Sequence, residues 1–213
     1  MILGIETSTA QASLALYDAG SDAIVWESEF STDRAHNAVI FDPVSEMLAL
    51  YRNQLSGIVV GVGPGSYSGV RVGIAVANGL SLALEIPSVG RSSLEAWGAE
   101  GDTYAVLGDA RRRTFFVAEV KARQLQGDPD LIEEDLVEDR IARLKSDGVP
   151  LYTADPKVQA HLDGVVLCYP TASRLARAGA AVDPADWQSS KPLEPHYLRA
   201  PYITTPKKKQ PRS

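Results

Sequence analysis

Cysteine is almost absent: Cys168 stands alone among 213 residues. No disulfide can form within the chain, and neither an all-cysteine metal site nor a Cys-x-x-Cys redox pair is available, so a reducing, cytoplasmic setting is expected. Histidine is nearly as scarce. His36, His161 and His196 are far apart and make no His-x-x-x-His or His-x-His, which leaves no short metal-binding motif. Long hydrophobic runs are lacking too. The longest, Val72 to Leu84, is interrupted by Gly73, Asn78, Gly79 and Ser81 and falls short of the ~20 residues that span a bilayer, so no membrane anchor is expected. The opening MILGIETSTAQ has no basic leader and no small-residue cleavage site, and reads as the start of a mature protein. Bases are the minority, 21 Lys+Arg against 27 Asp+Glu for a net charge of −6. Lys207, Lys208, Lys209 and Arg212 fall in residues 201–213, where there is no acid, so residues 1–200 hold 17 bases against 27 acids, a charge of −10. A body of that sign repels a phosphate backbone, which excludes autonomous nucleic-acid binding as the simplest reading.

What is present is ordinary globular composition, 45% apolar and 23% charged, in a chain long enough for one large domain or two small ones. Apolar runs at 2–6, 12–17 and 23–30 predict three strands in meander order. Over 34–52 the period becomes helical through Val39, Ile40, Val44, Met47, Leu48 and Tyr51, with Asp33 as N-cap and a kink expected at Pro43. A buried-type strand at 57–62, the turn GPGSYSG and a helix over 69–84 complete a β-β-β-α-β-α half. After a short helical piece at 93–98, strands at 103–108 and 114–121 start the pattern again. Both halves carry an acid at the end of their first strand, Glu6 and Asp109, which suggests a weak internal duplication. The division is placed at 1–100, 101–182 and a tail at 183–213. The second part is predicted to hold helices at 135–146, 155–162 and 172–181 and strands at 150–153 and 165–168. The tail, with six prolines and the basic run, is expected to be partly extended and partly disordered.

Gly63-Pro64-Gly65-Ser66-Tyr67-Ser68-Gly69 joins a strand to a helix, where free amides and the helix dipole can hold an anion. The plainer reading is a tight turn whose glycines permit positive φ or close backbone approach. No Gly-Lys-Ser/Thr follows, so this is no Walker A loop, and a third glycine is missing for a dinucleotide fingerprint. The strand connection Glu6-Thr7-Ser8-Thr9 offers hydroxyls and amides as the first phosphate loop of actin-like ATPases and sugar kinases does; a hairpin turn is the plainer account. Those enzymes have Asp where Glu6 stands and a small Gly-rich loop where this chain has Asp109-Ala110-Arg111-Arg112-Arg113. Helix 69–84 is apolar all round, with Gly73, Ala75, Ala77, Gly79 and Ala83 letting another helix approach closely. One face must pack on the protein's own sheet; a partner covering the second is the alternative. Cys168 ends the run VVLC and reads as a core thiol.

Taken together, ILGIETS, GVGPGSYSGVRVGIAVANGLSLAL, IPSVGRSSLEA, GDARR and EPHYLR resemble the bacterial TsaB family, densely over 1–121 and again over 194–199. TsaB is the non-catalytic partner of TsaD in the threonylcarbamoyladenosine modification of tRNA. The resemblance implies an α/β, actin-like (ASKHA, ribonuclease H-like) fold of two domains, each of mixed sheet plus helices, the second reduced. It implies pairing with TsaD, assembly with the ATPase TsaE, a homodimer in isolation, tRNA reached only through the complex, and ATP consumed by the complex with no cofactor required by this chain. The matching interface positions are His36, Val39, Ile40, Val44, Met47 and Leu48 on the first helix. On the second they are Val72, Gly73, Ala75, Val76, Ala77, Gly79, Leu80 and Ala83. Glu6, Thr7, Ser8, Thr9, Gly63, Gly65, Ser66, Asp109 and Arg111 become vestigial phosphate-loop positions. Where TsaD carries His-x-x-x-His for its metal, Ser93 and Trp97 stand here, and neither replaces an imidazole ligand. An active phosphotransferase using Glu6, Ser8, Ser66 and Asp109 is the competing hypothesis, and a metalloprotease, without its paired histidines, the third.

Overall fold

The computed structural model describes residues 1–31, 37–183, 185–187 and 192–198. Asp33, His36 and the basic tail lie outside these residues. The first sheet has strand order β3-β2-β1-β4-β5 and is built from β1 (Ile2–Glu6), β2 (Gln11–Asp18), β3 (Ala23–Ser31), β4 (Gly57–Gly61) and β5 (Ser88–Arg91). β1–β2 and β2–β3 are antiparallel, whereas β4 joins β1 and β5 joins β4 in parallel. Helices α1 (Phe41–Tyr51) and α2 (Tyr67–Leu84) make the two crossovers that parallel pairing requires. The second sheet repeats the plan. It contains β6 (Tyr104–Asp109), β7 (Thr114–Lys121), β8 (Gln124–Leu125), β9 (Asp130–Glu133), β10 (Leu151–Thr153) and β11 (Val165–Leu167), in the order β11-β10-β6-β7-β8 with β9 also on β7. Again an antiparallel hairpin, β6–β7, precedes two parallel additions, β10 and β11, reached through α3 (Val137–Ser146) and α4 (Pro156–His161). The duplication suggested by two acids is thus a duplication of topology, and the two mixed sheets with their helices form an actin-like α/β fold.

Strand periodicity divides the first core into two layers. Leu3 and Ile5 point with Leu14, Leu16, Ile58 and Val60 toward α1 and α2, while Ile2 and Val59 face the other side. That other side is covered by α5 (Ala172–Gly179), although the sequence division at residue 100 assigns this helix to the second unit. α5 is seated where β1 has no side chain: a Cβ on Gly4 would collide with the carbonyl oxygen of Ala172. The Ala172 amide also donates to Ser13 Oγ at 2.8 Å. In the second lobe, Ala105, Leu107 and Val117 pack against α3 and α4. The opposite face, Tyr104, Val106 and Val120, is covered by Leu94, Trp97 and Ala99 of the inter-lobe link.

Three local expectations are corrected. The helix predicted over 34–52 is regular only from Phe41, after a 3-10 turn at Asn37–Ile40. Pro43 therefore falls in its first turn, where amides have no intrahelical acceptor in any case, so no kink is required. The helix predicted from residue 69 starts at Tyr67, because Ser66 Oγ accepts from the Gly69 amide at 3.3 Å and caps it. Finally, α2 is not too short for its composition to match a membrane span: its 18 residues average a hydropathy of 1.2, with a third of them buried. Its seating on β1, β4 and β5 accounts for one apolar face.

If β1 and α5 depend on contact between backbones, Gly4→Ala should cost about 2 kcal/mol or more, as overpacking a rigid contact does. Denaturant titration measures this; a loss below about 0.5 kcal/mol, the scale of a neutral substitution, would mean α5 is not seated there.

Candidate functional site

Two loops meet at the ends of β1 and β4. The connection after β1 lies against the turn before α2, and each glycine of that turn faces a backbone oxygen of another segment. A Cβ on Gly65 would strike the Ser8 carbonyl, one on Gly69 the Thr7 carbonyl, and one on Gly63 would come within 2.8 Å of the His196 carbonyl. Gly63 also has φ of +96°, which disfavours any side chain. Three amides of the turn are engaged within the chain. Ser66 N donates to Ser8 O at 2.6 Å, Gly63 N to Ser93 Oγ at 3.2 Å, and Gly69 N to Ser66 Oγ. Thr7 Oγ1 donates to Gly69 O at 2.8 Å. The carbonyls of Thr7 and Ser8 thus stand against the turn where the oxygens of a phosphate would have to lie. Glu6, Thr7 and Ser8 are brought together with Gly63, Gly65 and Ser66, but as a packed joint.

Glu6 is the anomaly of this joint. It is fully buried, its Oε1 accepts from the Ser8 amide at 2.7 Å, and Oε2 has no hydrogen-bond partner, nor does the buried Ser8 Oγ. A Cβ on Gly61 would overlap Oε2, so the carboxyl occupies space that only glycine leaves. Burial pushes the Glu6 carboxyl above its ordinary range and outweighs the Ser8 amide and the nearby Ser8 and Ser93 hydroxyls, which favour the charged form. Thr9 turns away and donates to Gln11 O at 2.7 Å. In the second lobe, exposed Asp109 accepts from the Arg111 amide at 2.7 Å and from its guanidinium at 3.3 Å. Arg111, Arg112 and Arg113 all have positive φ in this hairpin, and Arg113 pairs with Glu134 at 2.9 Å.

The positions aligned with metal-binding histidines do not fit a metal. Ser93 is buried with its hydroxyl on the Gly63 amide, and Trp97 packs in the second-lobe core. Among the described residues no three His, Cys, Asp or Glu side chains come together as a ligand set. Burial also pushes the Cys168 thiol up, which opposes a nucleophilic role.

The helical face divides differently from its sequence pattern. Ile40, Met47, Gly73 and Ala77 are buried in the protein's own core, and Gly73 leaves room for the Thr7 hydroxyl. Val39, Ala75, Gly79 and Ala83 are exposed, whereas Leu48, Val72, Val76 and Leu80 are half-buried. Between α1 and α2 runs a groove of about 480 Å³ lined by Phe41, Val44, Val72, Ala75, Val76, Gly79 and Leu80. Its lining has no charged group. Phe41, 58% exposed, and Leu82, 83% exposed, extend the apolar surface; Phe41 stands three and seven residues before Val44 and Leu48, and Leu82 three and seven after Gly79 and Ala75, so helical spacing is the signal that finds both. A Cβ at Gly79 would meet nothing within 4 Å, so this glycine, costing about 1 kcal/mol in a helix interior, answers no internal packing need.

Fold and site together define a two-lobed, actin-like protein whose phosphate-type turn is filled by its own backbone. A family model described as TsaD: tRNA N6-adenosine threonylcarbamoyltransferase matches residues 30–166. The chain belongs to this family, within its TsaB group. An Escherichia coli relative, tRNA threonylcarbamoyladenosine biosynthesis protein TsaB, is 35% identical over 127 residues, which are 55% of this chain and 54% of that one. An uncharacterized protein of Mycobacterium leprae is 34% identical over 215 residues, 94% of this chain and 55% of the relative. The chain thus spans about half the length of these curated relatives. A solved Pseudomonas aeruginosa structure, described as an uncharacterized protein with similarity to peptidase YEAZ, superposes with a TM-score of 0.72 at 21% identity. It covers 93% of this chain and 99% of that one, and shares the fold.

The raised Glu6 carboxyl fixes a sign. Because the folded state favours the neutral acid, its contribution is fully present below the unfolded-state range and lost as pH rises through the folded-state value. Glu6→Gln should therefore raise Tm at pH 8 while changing it little at pH 4. Equal effects at both pH values would mean that Glu6 is not held neutral by the fold.

Proposed function

We propose that this chain is a non-catalytic subunit that pairs through the α1/α2 groove with a TsaD-type threonylcarbamoyltransferase. The pair would act with TsaE in forming threonylcarbamoyladenosine next to the anticodon of tRNA, in the cytoplasm. The carrying observation is the uncharged groove with Gly79 and Ala75 at its surface. The groove offers close helix–helix approach, and exposed apolar surface of this kind marks association sites. The Thr7 and Ser8 carbonyls packed on Gly65 and Gly69 support the non-catalytic part, since they occupy space in which a triphosphate would meet the turn. ATP consumption then belongs to the complex, and tRNA is reached through it, in keeping with the −10 charge of residues 1–200. In isolation the same groove would support a homodimer.

Reconstitution tests the reading. The chain alone should neither transfer the group nor turn over Mg-ATP, and adding it to TsaD and TsaE should restore modification; unchanged modification on its omission, or turnover by the chain alone, would overthrow it. For the surface, Ala77 is an unsuitable probe because it is wholly buried. Gly79→Glu is the clean one: it gains helix propensity, and so should keep or raise Tm, but places a carboxylate in an apolar contact. Its Kd for the TsaD-type subunit should rise about 30-fold or more, the scale of an interface hot spot. A Kd within about twofold of the parent, well inside that scale, would place the pairing surface elsewhere.

A further inference from the structure

Residues 194–198, Glu-Pro-His-Tyr-Leu, do not line the groove, yet they belong to a segment tied to the helix that forms it. Residues 192–198 form no helix or strand, but they are fastened at three points. The Leu193 amide donates to Asn78 Oδ1 on α2 at 3.2 Å. His196 N donates to Val62 O, just past β4, at 2.8 Å. Tyr197 stacks on Tyr67 in the first turn of α2, with ring centroids 5.2 Å apart and an interplanar angle of 21°. Arg71, one turn on, lies over the same Tyr67 ring at 5.2 Å and donates to its hydroxyl. Earlier in the same C-terminal stretch, Trp187 fills the space above Gly57 on the α5 side of the sheet.

Helix geometry gives these contacts a meaning. At 100° per residue, Tyr67, Arg71 and Asn78 fall on one stripe of α2, separate from the stripe that meets the sheet (Val70, Ile74, Ala77) and from the groove. α2 is thus held from beneath by the sheet and along one flank by the C-terminal segment, with its groove flank left open. The first turn of α2 is also held by the joint of Thr7 and Ser8 and by Val70 in the core. The same segment closes that joint, because the His196 carbonyl is what a Cβ at Gly63 would meet.

We infer that residues 192–198 are a clamp that sets the position of α2 over Tyr67–Asn78, and through it the pairing surface. The second part rests on the function proposed above. Tyr197 and Asn78 are then positioning residues: neither lines the groove, yet both govern how well it is presented. Losing them would widen the range of α2 positions sampled in the free chain, and a partner would have to select the competent fraction, which lowers apparent affinity in proportion.

The test compares Tyr197→Ala, Tyr197→Phe and Asn78→Ala with the parent full-length chain by amide hydrogen exchange, and by titration against a TsaD-type subunit. The two alanine variants should speed exchange across residues 67–78 by about three- to tenfold, the scale of losing one aromatic pair or one hydrogen bond, and leave β6 and β7 unchanged. The Kd should rise by a similar factor. Tyr197→Phe keeps the stack and should behave as the parent, which a role for the Tyr197 hydroxyl would not allow. Unchanged exchange in both alanine variants overturns the clamp, and faster exchange with parental Kd overturns its link to pairing. If the parent itself does not pair, the proposed function fails, whereas the exchange result still decides the clamp.

Discussion

The structure depends on one close approach, the backbone of Thr7 and Ser8 lying directly on Gly65 and Gly69. Four consequences follow from that contact. It fixes where α2 begins, since Ser66 both caps the helix and donates to Ser8. It uses the Ser66 amide of the turn before α2. It draws Glu6 inside, with one oxygen on the Ser8 amide and the other unpaired. And it fastens β1, the central strand of the first sheet, to the helix that carries the apolar groove. The junction is thereby used for rigidity, with the Thr7 and Ser8 carbonyl oxygens lying on the turn's glycines.

The two lobes divide the remaining tasks. The first carries the groove, and its second layer is completed by α5, which follows the second lobe's strands in the sequence and sits against Gly4. The second lobe is fixed to the first through the link at residues 97–102. There the Arg123 guanidinium donates to the carbonyls of Trp97, Ala99 and Gly101 and to the Asp102 carboxylate. Tyr104, whose ring lies under that guanidinium, donates its hydroxyl to Leu94 O, and burial pushes its pKa up to about 12. Inter-lobe surface is therefore spent on fastening. On the proposed reading this suits a subunit whose task is to present a surface, and the acidic composition suits one that leaves tRNA to its partner.

Much of this was legible in the sequence, for specific reasons. Strands β1 to β4, β6 and β7 announced themselves through alternating or continuous apolar runs, and the strand-turn-helix at GPGSYSG through its glycines. β5, β8 and β9 did not, because SVGR, QL and DLIE are too short or too polar to show a period. The groove was only half legible. Helical spacing identifies an apolar face but does not say which of two apolar stripes the protein keeps for itself, so Met47, Ile40, Gly73 and Ala77 were grouped with residues that are exposed. Phe41, three and seven residues before Val44 and Leu48, belongs to the same helical stripe and is legible by its spacing. The meaning of the glycines was least legible of all: Gly63, Gly65 and Gly69 permit close approach, and only coordinates show that what approaches is this chain's own backbone.

Hydrogen exchange of the full-length chain with and without a TsaD-type subunit decides whether the chain is a rigid scaffold presenting one apolar helical face. New protection is expected only over Phe41–Tyr51 and Tyr67–Leu84, with the β6–β7 hairpin unaffected by partner or Mg-ATP. Protection centred on the second lobe, or protection by Mg-ATP at residues 6–9 and 63–69, would contradict it.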